Sequence, residues 1–125
     1  MPGPAYYSGT MNIAKNEDWI VPFLYTTDDG TGTLTPIDLT GSTLALEIRN
    51  NETDHEVFVA VTTDNGGIEV TDAPGGAFTI VIVRELMVRM VPGDYVADLV
   101  RAMTNGFQER LWEGVVNVVA GTTRP

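Results

Sequence analysis

Hydrophobic and polar positions alternate with a period of two along most of this chain. The clearest stretch is residues 43–49, where Leu44, Leu46 and Ile48 face one way and Thr43, Ala45, Glu47 and Arg49 the other. Phe78, Ile80 and Ile82 alternate with Thr79, Val81 and Val83 in the same manner, and Trp112, Val116 and Val118 mark one face of a long last strand. Met11 and Ile13 predict a short first strand. Residues 19–26 predict a second, with Trp19, Val21, Phe23 and Tyr25 on one face. Pro22 lies inside it and has no N–H to give to a ladder, so this strand is expected at a sheet edge or at a bulge. Further strands are read over 57–62, 68–71, 94–102 and 108–119.

Turn chemistry separates these runs. Pro36–Gly41, Asp64-Asn65-Gly66-Gly67, Asp72–Gly76 and Thr104-Asn105-Gly106 all carry residues that accept tight or left-handed backbone. The Asn105-Gly106 pair between two strands is a hairpin signal. Only residues 84–91 break the alternation. Leu86, Met87 and Met90 fall at helical spacing before Pro92-Gly93, which predicts a short helical crossing between sheets. Seven or eight strands with a turn about every ten residues predict an all-β antiparallel sandwich or barrel. Its core is expected to hold Leu44, Leu46, Ile48, Phe78, Ile80, Ile82, Trp112, Val116 and Val118. Tyr95 follows a Pro-Gly turn at a strand start, so its hydroxyl is expected to bond nearby backbone, as in a tyrosine corner.

The ends read differently. Residues 1–9 form a Pro/Gly-rich arm with adjacent tyrosines, residues 10–120 the sandwich, and residues 121–125 a polar tail. An arm of that composition cannot fold alone. Tyr6 and Tyr7 are amphipathic side chains of the kind enriched at interfaces. Pro4, Tyr6, Tyr7 and Pro22 are therefore the candidate assembly contacts, with the arm expected to lie on a neighbouring subunit. The N-terminus has neither the basic nor the apolar region of a Sec-type signal.

Composition narrows the chemistry. One chain of 125 residues suits a single domain. Seven basic against seventeen acidic residues give a net charge of −10, which argues against binding a phosphate backbone. No apolar run approaches the ~20 residues of a membrane-spanning helix. With no cysteine, disulfides and thiolate metal sites are excluded, and folding in a reducing cytoplasm is favoured. His55 is the single histidine and Ser8 and Ser42 the only serines, with no G-x-S-x-G elbow and no spaced ligand set. No catalysis, cofactor, required metal or small-molecule substrate is expected; Asp28–Gly32 and Asp64–Gly67 are the loops where a surface calcium would sit if any did.

The order of the blocks resembles a group of small phage virion proteins, of the type found in the N-terminal modules of baseplate upper proteins. The shared pattern is Pro-Ile-Asp-Leu-Thr-Gly at 36–41, Ile-Arg at 48–49, Asn-Gly-Gly-Ile at 65–68 and the crossing at 84–91. It continues with Gly-Asp-Tyr-x-x-Asp-Leu at 93–99, Glu-Gly-x-Val-x-Val at 113–118 and Thr-Arg at 123–124. The resemblance implies an Ig-like sandwich with no enzymatic activity. It implies a virion subunit made in the host bacterial cytoplasm, in a tail, baseplate or tail-fibre attachment, whose partners are its own copies and other virion proteins. A head-surface or neck position, or a carbohydrate-binding module, are the alternatives. Baseplate upper proteins continue into long C-terminal regions that this sequence does not contain.

Overall fold

The computed structural model describes residues 7–28, 30–51, 53, 55–88 and 90–121. Among these residues ten strands form: β1 (Tyr7–Ala14), β2 (Trp19–Leu24), β3 (Thr26–Asp28), β4 (Leu34–Pro36), β5 (Thr43–Arg49), β6 (Val59–Thr62), β7 (Ile68–Asp72), β8 (Ala77–Ile82), β9 (Gly93–Ala102) and β10 (Gln108–Val119). A five-stranded sheet has the order β1-β10-β9-β5-β6, a three-stranded sheet the order β2-β8-β7, and β3 and β4 pair by themselves.

Among the described residues all pairings are antiparallel except one. β1 runs parallel to β10, from Tyr7 opposite Trp112 to Ala14 opposite Val119. A first strand parallel to the last, in the sheet opposite the second strand, together with a three-stranded partner sheet, is the arrangement of an Ig-like β-sandwich. The chain is an Ig-like β-sandwich. It carries no cysteine pair: two residues beyond Tyr95, where antibody domains place their second cysteine, stands buried Ala97.

The core follows from the alternation. Leu44, Leu46, Ile48, Phe78, Ile80, Ile82, Trp112, Val116 and Val118 are all buried, as expected from their period. Ile13, Leu39, Val59, Val61, Ile68, Met87, Met90 and Leu99 join them. In β10 the register shifts between Arg110 and Trp112, a bulge that places consecutive Leu111 and Trp112 in the core. Trp19 is only partly buried and packs on the core's edge, where its ring meets Phe23 at 6.3 Å.

Four details differ from the sequence reading. β1 begins at Tyr7, so it takes in the last three residues of the segment read as an arm. β6 begins at Val59, and the ring of Phe58, just before it, meets the Tyr95 ring edge-on at 5.3 Å. The segment read as one strand over 19–26 breaks at Tyr25, and the β3–β4 hairpin follows. The crossing is a single 3-10 turn, Arg84–Met87, with Met87 and Met90 buried and Leu86 exposed.

The expected tyrosine corner is present. The Tyr95 hydroxyl donates to the Val91 carbonyl at 2.7 Å, tying the start of β9 to the crossing. The Asn105-Gly106 hairpin also forms, closed by Met103 N–H to Phe107 carbonyl at 2.8 Å, with Gly106 at φ +90°.

Candidate assembly surface

β2 is an edge strand, and its hydrogen-bonding phase is fixed by one contact. The Tyr25 N–H donates to the Gly76 carbonyl at 2.8 Å, continuing the register that pairs Phe23 with Phe78 and Val21 with Ile80. Backbone groups of the odd-numbered residues therefore face β8, and those of Ile20, Pro22 and Leu24 face the open edge. Pro22 thus puts its missing N–H where no ladder bond is needed, which explains how proline is accommodated in this strand. The side chains of these three residues are also exposed, Ile20 at 60% and Leu24 at 64%. Together they give the outer face of β2 an apolar stripe beside Val81 and Ala77 of β8.

Tyr7, the other candidate within the described residues, opens β1 opposite Trp112. It belongs to the five-stranded sheet, so it shares no sheet with Pro22. Pro4 and Tyr6 lie outside the described residues. Between β2 and the β1–β10 pair is an apolar cleft of ≈ 410 Å³, lined by Met11, Phe23, Leu24, Tyr25, Leu111 and Trp112 among others. The Tyr25 hydroxyl is buried and its acceptor is the nearby Glu109 carboxylate, at a geometry too loose for a full hydrogen bond. Loss of hydration, reinforced by the nearby Glu109 carboxylate, pushes its pKa up to about 12.

One end of the sandwich is braced by a group that the sequence reading missed. Arg101 continues the inward series Tyr95, Ala97 and Leu99 along β9. It donates to Ser42 Oγ at 2.8 Å, to Glu109 Oε1 at 2.9 Å and to the Asp38 carbonyl at 2.7 Å. The bulge in β10 is what lets both Glu109 and Trp112 turn inward. The signal was in the chain: an arginine two residues beyond Leu99 occupies a core-facing register position.

The Pro36–Gly41 turn wraps this brace. Leu39 is buried, its N–H donates to the Ala73 carbonyl at 2.8 Å, and the Ile37 N–H donates to the Tyr25 carbonyl at 3.0 Å. The Thr40 N–H donates to Asp38 Oδ1 at 2.8 Å, and Thr40 holds the Asp38 carboxyl below its ordinary pKa. Asn65 does similar work in its own turn: its Oδ1 accepts from the Thr62 and Gly67 N–H groups at 2.9 Å each, so the acidic-looking loop is a stapled turn.

The outer face of the five-stranded sheet is charged. Glu47, Asp98 and Glu113 lie directly opposite one another on β5, β9 and β10. Arg49 pairs with Glu47 at 2.7 Å and Arg110 with Glu113 at 2.8 Å. Asp98, in the middle, has its pKa raised, chiefly by burial and further by its two glutamate neighbours, against the lowering pull of Arg110 and Arg49. Among the described residues no group of acidic or histidine side chains is arranged to hold a metal, and His55 is exposed in its loop. Among the described residues no helix is long and apolar enough to cross a membrane.

No protein-family model and no curated protein matches the chain. Among solved structures, Drosophila OTK, extracellular domains 3-5, is similar at 15% identity and a TM-score of 0.35, over 98% of this chain and 35% of that one. The chain thus spans about a third of that structure's length. A likeness at this level adds no argument to the fold, which stands on its strand order.

Proposed function

We propose that this protein is a non-enzymatic structural subunit of a bacteriophage virion, in its tail, baseplate or tail-fibre attachment, acting by protein–protein assembly. The observation that carries this reading is the outer face of β2. A strand edge with exposed Ile20, Pro22 and Leu24 is a large apolar surface for a chain whose charge otherwise keeps free subunits apart. Pro22 removes a donor from that edge, so open-ended strand addition is discouraged while side-chain docking is retained. The ordered motif set from Pro36-Ile37-Asp38-Leu39-Thr40-Gly41 to Glu113-Gly114 supports the phage assignment by resemblance. The partners are other copies of this chain and other virion proteins. No reaction is assigned: the polar clusters described above hold turns and strands together.

The test uses the double variant I20D/L24D, which places charges on the docking face and leaves every core residue in place. It is expected to unfold at the wild-type temperature and to be missing from gradient-purified phage particles that contain the wild-type chain. Wild-type particles without the chain, or a variant that enters them at full occupancy, would sink the proposal.

A further inference from the structure

Strand edges invite pairing with other chains, and natural sandwiches blunt the edges that must stay single. We propose that the open edge of β1 pairs antiparallel with β1 of a second copy of this chain about a two-fold axis, joining two five-stranded sheets into one. This contact lies on the other sheet from the β2 docking face and does not depend on it.

Among the described residues the two main sheets have four edge strands, β1, β6, β2 and β7. Three of them are blunted. β2 carries Pro22 on its open side. β6 spans four residues, and the Asn65 side chain occupies its open groups: Oδ1 accepts from the Thr62 N–H at 2.9 Å and Nδ2 donates to the Ala60 carbonyl at 3.1 Å. Those groups face outward because the Thr63 N–H donates to the Leu44 carbonyl at 3.0 Å, which turns the odd-numbered residues of β6 toward β5. β7 has five residues, an irregularity between Val70 and Asp72, and acidic Glu69 and Asp72.

β1 has none of these features. It is eight residues long, keeps one register along β10, and contains neither proline nor a charged side chain. Its phase is fixed by the Lys15 N–H, which donates to the Val119 carbonyl at 2.8 Å. Odd-numbered residues therefore bond to β10, and the backbone groups of Ser8, Thr10, Asn12 and Ala14 face the open edge. The Ala14 carbonyl accepts from the Glu17 N–H at 3.3 Å, so Ser8, Thr10 and Asn12 are the residues that offer a donor and an acceptor each.

A second copy is the occupant on grounds of charge and symmetry. Subunits of net charge −10 repel wherever acidic side chains meet, and the β1 edge brings none together. Its outward side chains Thr10 and Asn12 are exposed and uncharged. Under a two-fold axis, even-numbered residues stand opposite even-numbered residues, so each donor meets an acceptor and the edge is complementary to itself. The apolar cleft lined by Met11, Leu24 and Trp112 lies on the same side of the sandwich, so the contact covers apolar surface along with backbone groups.

Sedimentation of the full chain at tens of micromolar is expected to show a dimer. Amide hydrogen exchange at Thr10 and Asn12 should slow at least tenfold between dilute monomer and dimer, because their N–H groups enter the new ladder. T10P removes an outward N–H that β10 does not use, as Pro22 does in β2, and should weaken dimerisation at least tenfold with an unchanged circular dichroism spectrum. T10D sets two carboxylates near the axis and should weaken it as much, and it decides the matter if T10P fails to fold. I20D/L24D should dimerise like the wild type, which separates this edge from the β2 face. A chain that stays monomeric, a dimer whose Thr10 and Asn12 amides exchange as in the monomer, or a T10D dimer as tight as the wild type would each overturn the proposal.

Discussion

Replacing Arg101 by methionine tests how the end of the sandwich is held. Methionine keeps the aliphatic volume and removes three charge-assisted hydrogen bonds, to Ser42, Glu109 and the Asp38 carbonyl. The Arg101 and Glu109 side chains are 12% and 18% exposed, so the pair is nearly but not wholly out of water. Stripping one partner from a fully buried pair costs about 3–5 kcal/mol, and the remaining solvent contact lowers the expectation here to roughly 2–3 kcal/mol. The control is built in. Arg49 and Glu47 lie just as close, at 2.7 Å, but are 29% and 45% exposed, and R49M should cost only about 0.2–1 kcal/mol. Adding E109Q to R101M should recover part of the loss, because a neutral amide replaces a stranded carboxylate. Urea unfolding midpoints at unchanged slope measure all of these. If R101M costs no more than R49M, burial does not control the worth of this pair and the bracing role assigned to it is wrong.

Tyr95→Phe deletes the bond to the Val91 carbonyl and should lower stability by about 1 kcal/mol in the same assay, with no change in fold by circular dichroism. Gly76→Ala should cost more than about 1 kcal/mol, since φ is +73° and a Cβ would collide with the Tyr25 carbonyl oxygen. Asp98→Asn removes the middle charge of the Glu47–Asp98–Glu113 row and should stabilise by a few tenths to about 1 kcal/mol at neutral pH. The sign with pH follows from its raised folded-state pKa. The ionised form is penalised in the fold, so the Asp98 contribution becomes more favourable as pH falls through that raised value and is complete below the ordinary 3.8. Asp38, held low by Thr40, works in the opposite sense and loses its contribution only below 3.8. A flat difference between D98N and wild type across the acid range would refute the first of these.

The core was legible because period-2 alternation is a direct imprint of burial on one sheet face, and Leu44, Leu46 and Ile48 show it without exception. The Tyr95 contact was legible because it is local, four residues long. The β3–β4 hairpin was not: each strand is three residues, and Leu34, Thr35 and Pro36 are all exposed, so no burial shaped their sequence. Tyr7-Ser8-Gly9 was read as part of an arm because its composition is poor for a strand, yet pairing with β10 uses backbone alone and does not require strand-forming side chains. The Arg101 brace joins Ser42 and Asp38 across 59 and 63 residues of chain, a proximity set by topology that no local pattern encodes. For the candidate surface, Pro22 announced an edge, but the apolar stripe beside it emerged only when the register sent Ile20 and Leu24 outward.

The parallel pairing of the first and last strands has a mechanical consequence. β1 enters at one end of the sandwich and β10 leaves at the other, side by side through eight residues from Tyr7 to Ala14, with a further bond from the Lys15 N–H to the Val119 carbonyl at 2.8 Å. Tension applied between the N- and C-terminal ends would pull these strands lengthwise past each other. The ladder would then be loaded in shear, with all its bonds strained together, instead of being peeled open one bond at a time. A domain wired this way is expected to resist stretching along its long axis with more force than its modest size suggests, and its rupture would be governed by the rate at which that single ladder lets go.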